Sequence, residues 1–267
     1  MEELVLWEKV GRLGYLTLNR PEKLNALNAP LLAALEERLE QAKQDDEVRV
    51  LIIRGAGRAF SAGFDLSPDA PERQGHRDIV DDRDRLQRNT DLWLKIWDHP
   101  KPVIAQVHGY CLAGATQLCI FCDLTVVAED ARIGFPAIPV GGGYISPMWA
   151  WLVGPKRAKE MSFIPGSQIS GSLASEWGWA NRATPADQLE QTVRGLAEQI
   201  ATVPSKILHM KKVAVNRTMD TQGFRVAVGF GSEFDALLHH SGPVQELSAT
   251  IRELGLKGAI EAFRAGR

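Results

Sequence analysis

Short apolar runs alternate with amphipathic helical patterns through the first half of the chain. Residues 48–53, 102–107 and 124–128 are rich in β-branched side chains and carry little charge, which predicts buried strands. Between these runs, residues 30–44 and 79–97 repeat apolar side chains at helical spacing. Strands that alternate with helices in this way predict an α/β fold.

Further strands and helices are predicted before, within and after this alternating pattern. Residues 4–10 and 14–19 predict two short strands that are hinged at Gly11, and residues 114–122 predict a short helix. From Pro155 onward the strand pattern fades, and we expect helices separated by Gly and Pro. These predicted helices cover residues 186–202, 205–216, 222–240 and 245–264.

No low-complexity linker separates the two parts of the chain. We therefore predict a core over residues 1–200 and a helical C-terminal segment over residues 201–267. We expect that segment to pack on its own core or on a neighbouring subunit.

Charge and cysteine content limit the possible partners and compartment. The chain has 31 Lys and Arg against 33 Asp and Glu, a formal net charge of −2, so no surface for nucleic acid or anionic lipid is expected. Cys111, Cys119 and Cys122 share one apolar stretch, which predicts buried thiols in a reducing compartment. The first residues lack a basic segment followed by an apolar one, so we expect no export signal and a cytoplasmic protein.

Two uncharged stretches, residues 102–122 and 133–155, are long enough to raise the question of a membrane span. The first contains Gln106 and Gln117, and the second contains three consecutive glycines at 141–143 between prolines. This content favours strand, loop and short helix inside a protein core, and no membrane partner is predicted.

Three segments at matching separations resemble the crotonase superfamily of enoyl-CoA hydratases and isomerases. They are residues 20–27 (RPEKLNAL), 57–66 (GRAFSAGFDL) and 101–123. The similarity continues through residues 128–136 and 154–178, so it covers about the first 200 residues. The resemblance implies a spiral of ββα units that forms two nearly perpendicular sheets. It also implies that the helical tail helps to build a homotrimer or a dimer of trimers.

The resemblance implies an acyl-CoA thioester as substrate, with its carbonyl oxygen held by the backbone N–H groups of Phe64 and Gly114. The local sequence agrees, because Phe64 follows a glycine in a turn and Gly114 opens a short helix, so both N–H groups can be unsatisfied and exposed. Two such donors stabilise an enolate or a tetrahedral oxyanion. Coenzyme A enters as part of the substrate, so no separate cofactor and no metal is predicted.

By resemblance, the acyl-CoA contacts several further segments. Lys23, Leu24 and Ala26 line the route of the CoA chain, Ala62, Gly63, Asp65 and Leu66 meet its adenine and pantetheine end, and Tyr110, Pro136, Ala137 and Gly141 complete the substrate-binding set. For the Asp65 side chain we favour a local turn cap over a ligand contact. Asp123 is predicted to be a structural hydrogen-bond acceptor at a helix end.

The sequence departs from the family where hydratases carry two glutamates that hold and activate water. One glutamate follows the oxyanion glycine by three residues, and the other comes just after the Gly-x-Pro turn; Gln117 and Ala137 stand at these positions here. A glutamine amide orients water or substrate by hydrogen bonding, but only a carboxylate accepts a proton from water. We therefore predict an orienting role for Gln117 and poor hydration of simple enoyl-CoA.

The sequence leaves the general base open. Tyr144 follows the three glycines near the lost second glutamate, and a catalytic and a structural hydroxyl are equally compatible with that position. His108 is predicted to be a core histidine with satisfied hydrogen bonds. Weaker candidates are His76, Asp69 and Asp84. Further candidates are Glu233, Asp235, His239 and His240, but a solvated helix face is favoured for these four. The charge run at 78–88 is likewise predicted to be a solvated face, and the CxxC spacing of Cys119 and Cys122 lacks the partners that a zinc site needs.

The sequence thus predicts an acyl-CoA enzyme of the hydratase/isomerase group with Phe64, Gly114, Gln117 and Tyr144 as its catalytic set. One alternative keeps this platform but carries out isomerisation, hydrolysis or decarboxylation. The other is a protein that binds acyl-CoA without turnover.

Overall fold

The computed structural model describes residues 3–67, 78–141 and 145–266. Within them, one sheet has six strands: β1 (Val5–Val10), β2 (Leu13–Leu18), β3 (Val50–Gly55), β4 (Val103–Val107), β6 (Leu124–Ala128) and β9 (Arg182–Thr184). They lie in the order β1-β2-β3-β4-β6-β9. The first pair is antiparallel and the other neighbouring pairs are parallel.

A second sheet contains β5 (Tyr110–Leu112), β7 (Arg132–Gly134) and β8 (Gln168–Ser170), in the order β5-β7-β8. The chain passes from β4 to β5 through Gly109, which has a φ of 58° and lies so close to Arg58 that a Cβ would come within 2.1 Å of its carbonyl oxygen. Only glycine fits such a turn. This turn brings β5 against the segment after β3, where Ser61 N donates to the Tyr110 carbonyl at 3.0 Å.

Nine helices cover the sheets in the described residues. They are α1 (Ala29–Gln44), α2 (Ile79–Trp97), α3 (Gly114–Phe121), α4 (Ile145–Phe163), α5 (Gly171–Glu176), α6 (Leu189–Ile200), α7 (Ser205–Thr221), α8 (Phe224–His239) and α9 (Gly242–Arg264). Local sequence explains their starts: Asn28 caps α1 by accepting from Leu31 N at 3.1 Å, and Asp78 caps α2 by accepting from Val80 N and Asp81 N. Helices α4 and α9 are kinked at Gly154 and Gly255, where the backbone is not helical.

The predicted α/β architecture with a helical C-terminal region is confirmed, and the ranges predicted for α2 and β6 match the structure. The expectation that strands end near Pro155 is wrong, because β8 and β9 follow it. Each of these strands has three residues. A strand that short shows too little alternation to be recognised from sequence periodicity.

Helix α7 is attached to the core by a buried lysine. Lys212 Nζ donates to Asp123 Oδ2 at 2.7 Å and to the Ile96 carbonyl at 3.1 Å. Asp123 Oδ2 also accepts from Val103 N at 2.7 Å, so its predicted structural role is confirmed. One residue from the C-terminal segment therefore pairs with a carboxylate of the core.

Over the described residues, no helix has both the length and the apolar content that crossing a bilayer requires.

Candidate functional site

The segment that carries Phe64 pairs with Leu27 in an isolated parallel bridge. Leu27 N donates to the Gly63 carbonyl at 2.8 Å, and Asp65 N donates to the Leu27 carbonyl at 3.0 Å. In such a bridge, the residue between the two bonded groups directs its own N–H and C=O to the opposite side. The N–H of Phe64 therefore points away from Leu27.

Ala113 turns the chain into α3. Its φ of 50° and ψ of −120° are uncommon for any residue except glycine, and such conformations typically cost roughly 1–3 kcal/mol. The turn is held at both ends, because Ala113 N donates to the Gly134 carbonyl at 2.9 Å and the Ala113 carbonyl accepts from Thr116 Oγ1 at 2.8 Å. Trp149 Nε1 in turn donates to Thr116 Oγ1 at 3.2 Å.

The two segments meet at Gly63 and Gly114. A Cβ on Gly63, whose φ is 89°, would lie 2.5 Å from the Leu112 carbonyl oxygen and 3.1 Å from Gly114 N. A Cβ on Gly114 would lie 2.6 Å from the Phe64 ring. Side chains do not fit at these distances without movement of their neighbours. Two glycines thus allow the close approach of the residues predicted to supply the oxyanion donors.

Two backbone donors in this region lack an acceptor. Within residues 3–67, 78–141 and 145–266, neither Phe64 N nor Gly114 N makes a hydrogen bond. Gly114 is the first residue of α3, so its N–H has no intrahelical acceptor and lies at the positive end of the helix dipole. Two adjacent segments of the described chain therefore each carry a backbone N–H group without an acceptor.

Gln117 lies one turn beyond Gly114 on α3, and its side chain is buried, with 1% exposed. Gln117 Oε1 accepts from Trp93 Nε1 at 3.2 Å. An indole N–H can only donate, so the amide presents its oxygen to Trp93 and its NH₂ group to the other side. Among the described residues, that NH₂ group donates no hydrogen bond, and its nitrogen is not one of the fully buried atoms that lack a partner.

Ala137, the residue predicted to stand at the second glutamate position, lies in the loop at residues 135–141. Ala137 is half-buried and packs against Gly166, whose N–H donates to the Pro136 carbonyl at 2.9 Å. Gln117 and Ala137 therefore supply no carboxylate at either glutamate position. The other candidate bases Tyr144, His76 and Asp69 lie outside the described residues.

An apolar cleft of about 510 Å³ borders this loop. Pro136 and Gly141 line it together with residues of α4 and Leu238 of α8. Phe64, Gly114 and Gln117 do not line it. Two predicted substrate-binding residues therefore line the cleft, but the residues that carry the two backbone donors do not.

The residues predicted to meet the CoA chain form a turn that is attached to the Phe64 segment. Leu24 has a left-handed φ of 51°, and its carbonyl accepts from Ala62 N at 2.9 Å. The Ala26 carbonyl accepts from Arg20 Nη1 at 2.5 Å. Lys23 is exposed at the edge of the turn.

Leu66 and Tyr110 are both half-buried. The guanidinium of Arg132 lies 5.7 Å from the centre of the Tyr110 ring, within the range of a cation–π contact. This contact joins β5 to β7.

The Asp65 carboxylate is engaged within the protein. Its Oδ1 accepts from Ser67 N at 3.0 Å and from the Ser67 hydroxyl, and its Oδ2 accepts from Arg20 Nη2 at 3.1 Å. Burial alone would raise the pKa of Asp65, but the Ser67 hydrogen bonds and the Arg20 charge hold it below its usual range. These contacts bear out the turn-cap interpretation of its side chain.

A charged cluster that sequence analysis missed joins α2 to α8. Asp82 and Asp235 are buried, His239 Nδ1 lies 2.7 Å from Asp82 Oδ2, and Arg85 Nη2 donates to Asp82 Oδ1 at 2.7 Å. A Cβ on Gly141 would lie 3.2 Å from His239 Nε2 and 3.3 Å from Asp235 Oδ1. The prediction of solvated faces is therefore wrong for Asp82, Asp235 and His239. It is correct for Asp84, Glu233 and His240, which are exposed.

His108 is half-buried rather than part of the core, and its Nε2 lies 2.9 Å from the Gly57 carbonyl oxygen. Its Nε2 has a hydrogen-bond partner, as expected, but its predicted burial is wrong. The three cysteines are buried free thiols, as predicted.

Comparison with known proteins identifies the family. The model of the enoyl-CoA hydratase/isomerase family matches residues 8–241. An enoyl-CoA hydratase/isomerase structure from Xanthobacter autotrophicus Py2 has a TM-score of 0.92 at 33% identity, covering 100% of this chain and 99% of that one.

Two relatives have more specific names. The 1,2-epoxyphenylacetyl-CoA isomerase of Escherichia coli K12 is 34% identical over 218 residues, which cover 78% of this chain and 81% of the relative. The hydroxycinnamoyl-CoA hydratase-lyase of Pseudomonas fluorescens is 30% identical over 208 residues, which cover 77% and 75%. The fold, the match over residues 8–241 and these relatives agree, and the chain belongs to the enoyl-CoA hydratase/isomerase family of acyl-CoA enzymes.

Proposed function

We propose that the protein binds an acyl-CoA thioester and stabilises negative charge on its carbonyl oxygen with the N–H groups of Phe64 and Gly114. The observation that carries this proposal is the pair of unbonded backbone donors on two segments that touch at Gly63 and Gly114. The N-terminus of α3 adds its dipole to the same position. Fixed donors of this kind typically lower the barrier to an oxyanion by roughly 3–4 kcal/mol each.

In the proposed complex, the CoA chain runs along the turn that contains Lys23, Leu24 and Ala26, and along residues 62–66. Backbone groups make most of these contacts, because the Asp65 carboxylate is occupied by Ser67 and Arg20. The exposed ammonium group of Lys23 is available to an anionic part of coenzyme A. No cofactor beyond the substrate's own coenzyme A is required.

The proposed reaction is one that does not depend on two carboxylates flanking a water molecule. Gln117 and Ala137 supply neither of them, so a double-bond isomerisation or another enolate reaction is favoured over water addition. The relative from E. coli is named as an isomerase, which supports this choice. Hydrolysis, decarboxylation and binding without turnover remain the alternatives on the same platform.

The proposed base is Tyr144 or a group beside the loop at residues 135–141. Tyr144 remains a candidate from the sequence. His239 is a second one, because Asp82 holds its Nδ1 and its Nε2 lies beside the position of a Gly141 Cβ. A carboxylate that fixes one imidazole nitrogen leaves the other free to exchange a proton.

We also propose that the protein assembles as a homotrimer or a dimer of trimers in the cytoplasm. Val226, Phe230, Phe234 and Leu237 repeat along α8 and are each at least half exposed, at 60%, 50%, 52% and 58%. A helix stripe of this kind favours burial against another chain. Light scattering at micromolar concentration tests the assembly, and a monomer would contradict it.

Replacement of Phe64 by proline tests the oxyanion assignment. Proline deletes the Phe64 N–H, which the bridge to Leu27 does not use, so neither hydrogen bond of the bridge loses its donor. The matched control Phe64→Ala removes the same ring but keeps the N–H. We expect Phe64→Ala to bind butyryl-CoA more tightly than free CoA, and Phe64→Pro to lose about tenfold of that preference. Equal preferences in the two variants would contradict the assignment.

A further inference from the structure

A chain of two buried hydrogen bonds holds the carbonyl of Ala113. Thr116 Oγ1 donates to that carbonyl oxygen at 2.8 Å, and Trp149 Nε1 donates to Thr116 Oγ1 at 3.2 Å. The side chains of Thr116 and Trp149 are both fully buried. An indole N–H can only donate, so it occupies an acceptor position of the hydroxyl oxygen and leaves the hydroxyl hydrogen for Ala113. A residue of α4 thus sets the direction of a hydrogen bond at the start of α3.

The Ala113 carbonyl belongs to the same peptide unit as the Gly114 N–H. In a planar trans peptide, the C=O and N–H bonds point in opposite directions. The carbonyl faces Thr116, whose backbone N–H also donates to it at 2.9 Å. The Gly114 N–H is therefore directed away from Thr116, out of the N-terminal end of α3. Whatever orients the carbonyl also orients this donor.

This orientation of the peptide unit is strained at Ala113. A φ of 50° with a ψ of −120° is the conformation of the first central residue of a type II′ turn, a position that glycine normally occupies. At the same φ, a ψ of about +47° lies in the left-handed helical region, which an alanine tolerates better. Rotation of ψ to that region would nearly reverse the direction of the Gly114 N–H. The bond from Ala113 N to the Gly134 carbonyl, at 2.9 Å, does not oppose this rotation, because it lies on the other side of the Ala113 Cα.

We infer that Thr116 and Trp149 are positioning residues for the Gly114 donor. Their hydrogen-bond chain holds the Ala113–Gly114 peptide unit in the orientation that directs its N–H towards an oxyanion. This inference rests on the proposed function. Threonine hydroxyls in helices commonly bond to a nearby carbonyl, but here the bond opposes the relaxation of a strained residue and acts on the peptide that carries the donor.

Infrared difference spectroscopy of a bound ligand tests the inference. The probe is butyryl-CoA with a heavy carbon isotope at the thioester carbonyl, whose stretching frequency falls when its oxygen accepts hydrogen bonds. We expect the unmodified protein to lower this frequency relative to the free ligand. Thr116→Val replaces the hydroxyl by a methyl group, and we expect it to lose about half of the shift, because one of the two donors is turned away. Thr116→Ser keeps the hydroxyl and should keep the shift.

Ala113→Gly separates positioning from packing. Glycine adopts the conformation of residue 113 without strain, so the orientation of the peptide unit then depends less on the hydroxyl. We expect the double variant Ala113→Gly with Thr116→Val to regain most of the shift that Thr116→Val loses. Trp149→Phe removes the N–H that directs the hydroxyl, and we expect a smaller loss than in Thr116→Val. Urea denaturation checks that each variant is folded.

A full shift in folded Thr116→Val overturns the inference. A loss that Ala113→Gly does not restore also overturns it, because packing then explains the loss. If Thr116→Val does not fold, Trp149→Phe decides, and a full shift there overturns the inference. All these outcomes leave the proposed function standing when the unmodified protein lowers the carbonyl frequency. No shift in the unmodified protein overturns the two together.

Discussion

His239 Nδ1 lies 2.7 Å from Asp82 Oδ2, and this contact fastens α8 to the first turn of α2. Burial alone would raise the pKa of Asp82, but the hydrogen bond from His239 and the charge of Arg85 lower it to about 2. The carboxylate is therefore charged in the folded protein at any pH near neutrality, and it is held by two partners.

We expect Asp82→Asn to lower the free energy of unfolding by about 2 kcal/mol at pH 7.5, because His239 and Arg85 lose a buried anionic partner. Asp84→Asn is the matched control, since Asp84 lies on the same helix with an exposed side chain. Urea denaturation compares the two variants. Similar losses in both would show that the buried contact contributes nothing specific.

The Asp82 carboxylate also predicts how the free energy of unfolding changes at low pH. A folded-state pKa of about 2, below the ordinary value of 3.8, gives stability that is complete above the unfolded pKa and is lost as the pH falls through 2. We expect the difference in unfolding free energy between the unmodified protein and Asp82→Asn to shrink between pH 4 and pH 2.

His99 predicts a loss of stability at a higher pH. Lys101 N donates to His99 Nδ1 at 3.2 Å, so the proton lies on Nε2, which is 3.1 Å from the Leu39 carbonyl oxygen. Burial lowers the pKa of His99 to about 4 from its ordinary 6.5, and the unfolded chain therefore binds more protons between these values. Stability is fully present above pH 6.5 and falls as the pH drops towards 4.

From these values we expect His99 alone to remove about 2 kcal/mol of unfolding free energy between pH 7.5 and pH 5. His99→Gln keeps a donor and an acceptor but does not titrate, so its stability should depend less on pH over this interval. Urea denaturation at both pH values measures the difference. Parallel losses in the two proteins would rule out His99 as the cause.

Alanine substitutions at Gly63 and at Gly11 together test the close approach of the two segments at the candidate site. Both have positive φ values, of 89° and 58°, but a Cβ on Gly63 would meet the Leu112 carbonyl whereas a Cβ on Gly11 would meet nothing within 4 Å. We expect Gly11→Ala to cost about 1 kcal/mol and Gly63→Ala to cost at least about 3 kcal/mol. Thermal denaturation compares the stability of the two variants. Equal losses would mean that the contact of the new Cβ with the Leu112 carbonyl is easily relieved.

Lys212 and Lys211 test the attachment of α7. Lys212 is buried against Asp123, whereas Lys211 beside it in the sequence is exposed. We expect Lys212→Met to lower the unfolding free energy by about 3 kcal/mol, because Asp123 loses its cation, and Lys211→Met to have little effect. Addition of Asp123→Asn to Lys212→Met should restore part of the lost unfolding free energy. If it restores none, the Lys212–Asp123 pair is not the source of the loss.

The two altered glutamate positions predict weak hydration. We expect the protein to hydrate crotonyl-CoA roughly 100- to 10,000-fold more slowly than an enzyme with both carboxylates, as followed by loss of the conjugated thioester absorbance. Gln117→Glu together with Ala137→Glu should raise the rate more than either change alone. Rapid hydration by the unmodified protein would show that another group supplies the base.

The sequence predicted those helices and strands whose residue pattern repeats along a single element. Helix α2 has a clear start at Asp78 and a buried face at helical spacing, so its range could be predicted. The paired donors at Phe64 and Gly114 stayed a prediction that rested on glycine positions and family resemblance. The structure adds the contact between Gly63 and Gly114 that such a pair requires.

The rest depends on contacts between distant residues. Asp82 and His239 are 157 positions apart, and within its own helix each has the pattern of a solvated charge. The orientation of Gln117 depends on Trp93, 24 positions earlier, and the φ of Ala113 depends on bonds to Gly134 and Thr116. Local periodicity contains none of these relationships.

The N–H groups of Phe64 and Gly114 belong to the backbone, and this has an evolutionary consequence. A single codon change alters a side chain but leaves the N–H in place, unless it introduces proline. Under the proposed function, selection can therefore exchange the side chains at 117, 137 and 239 while the two backbone N–H groups are inherited unchanged.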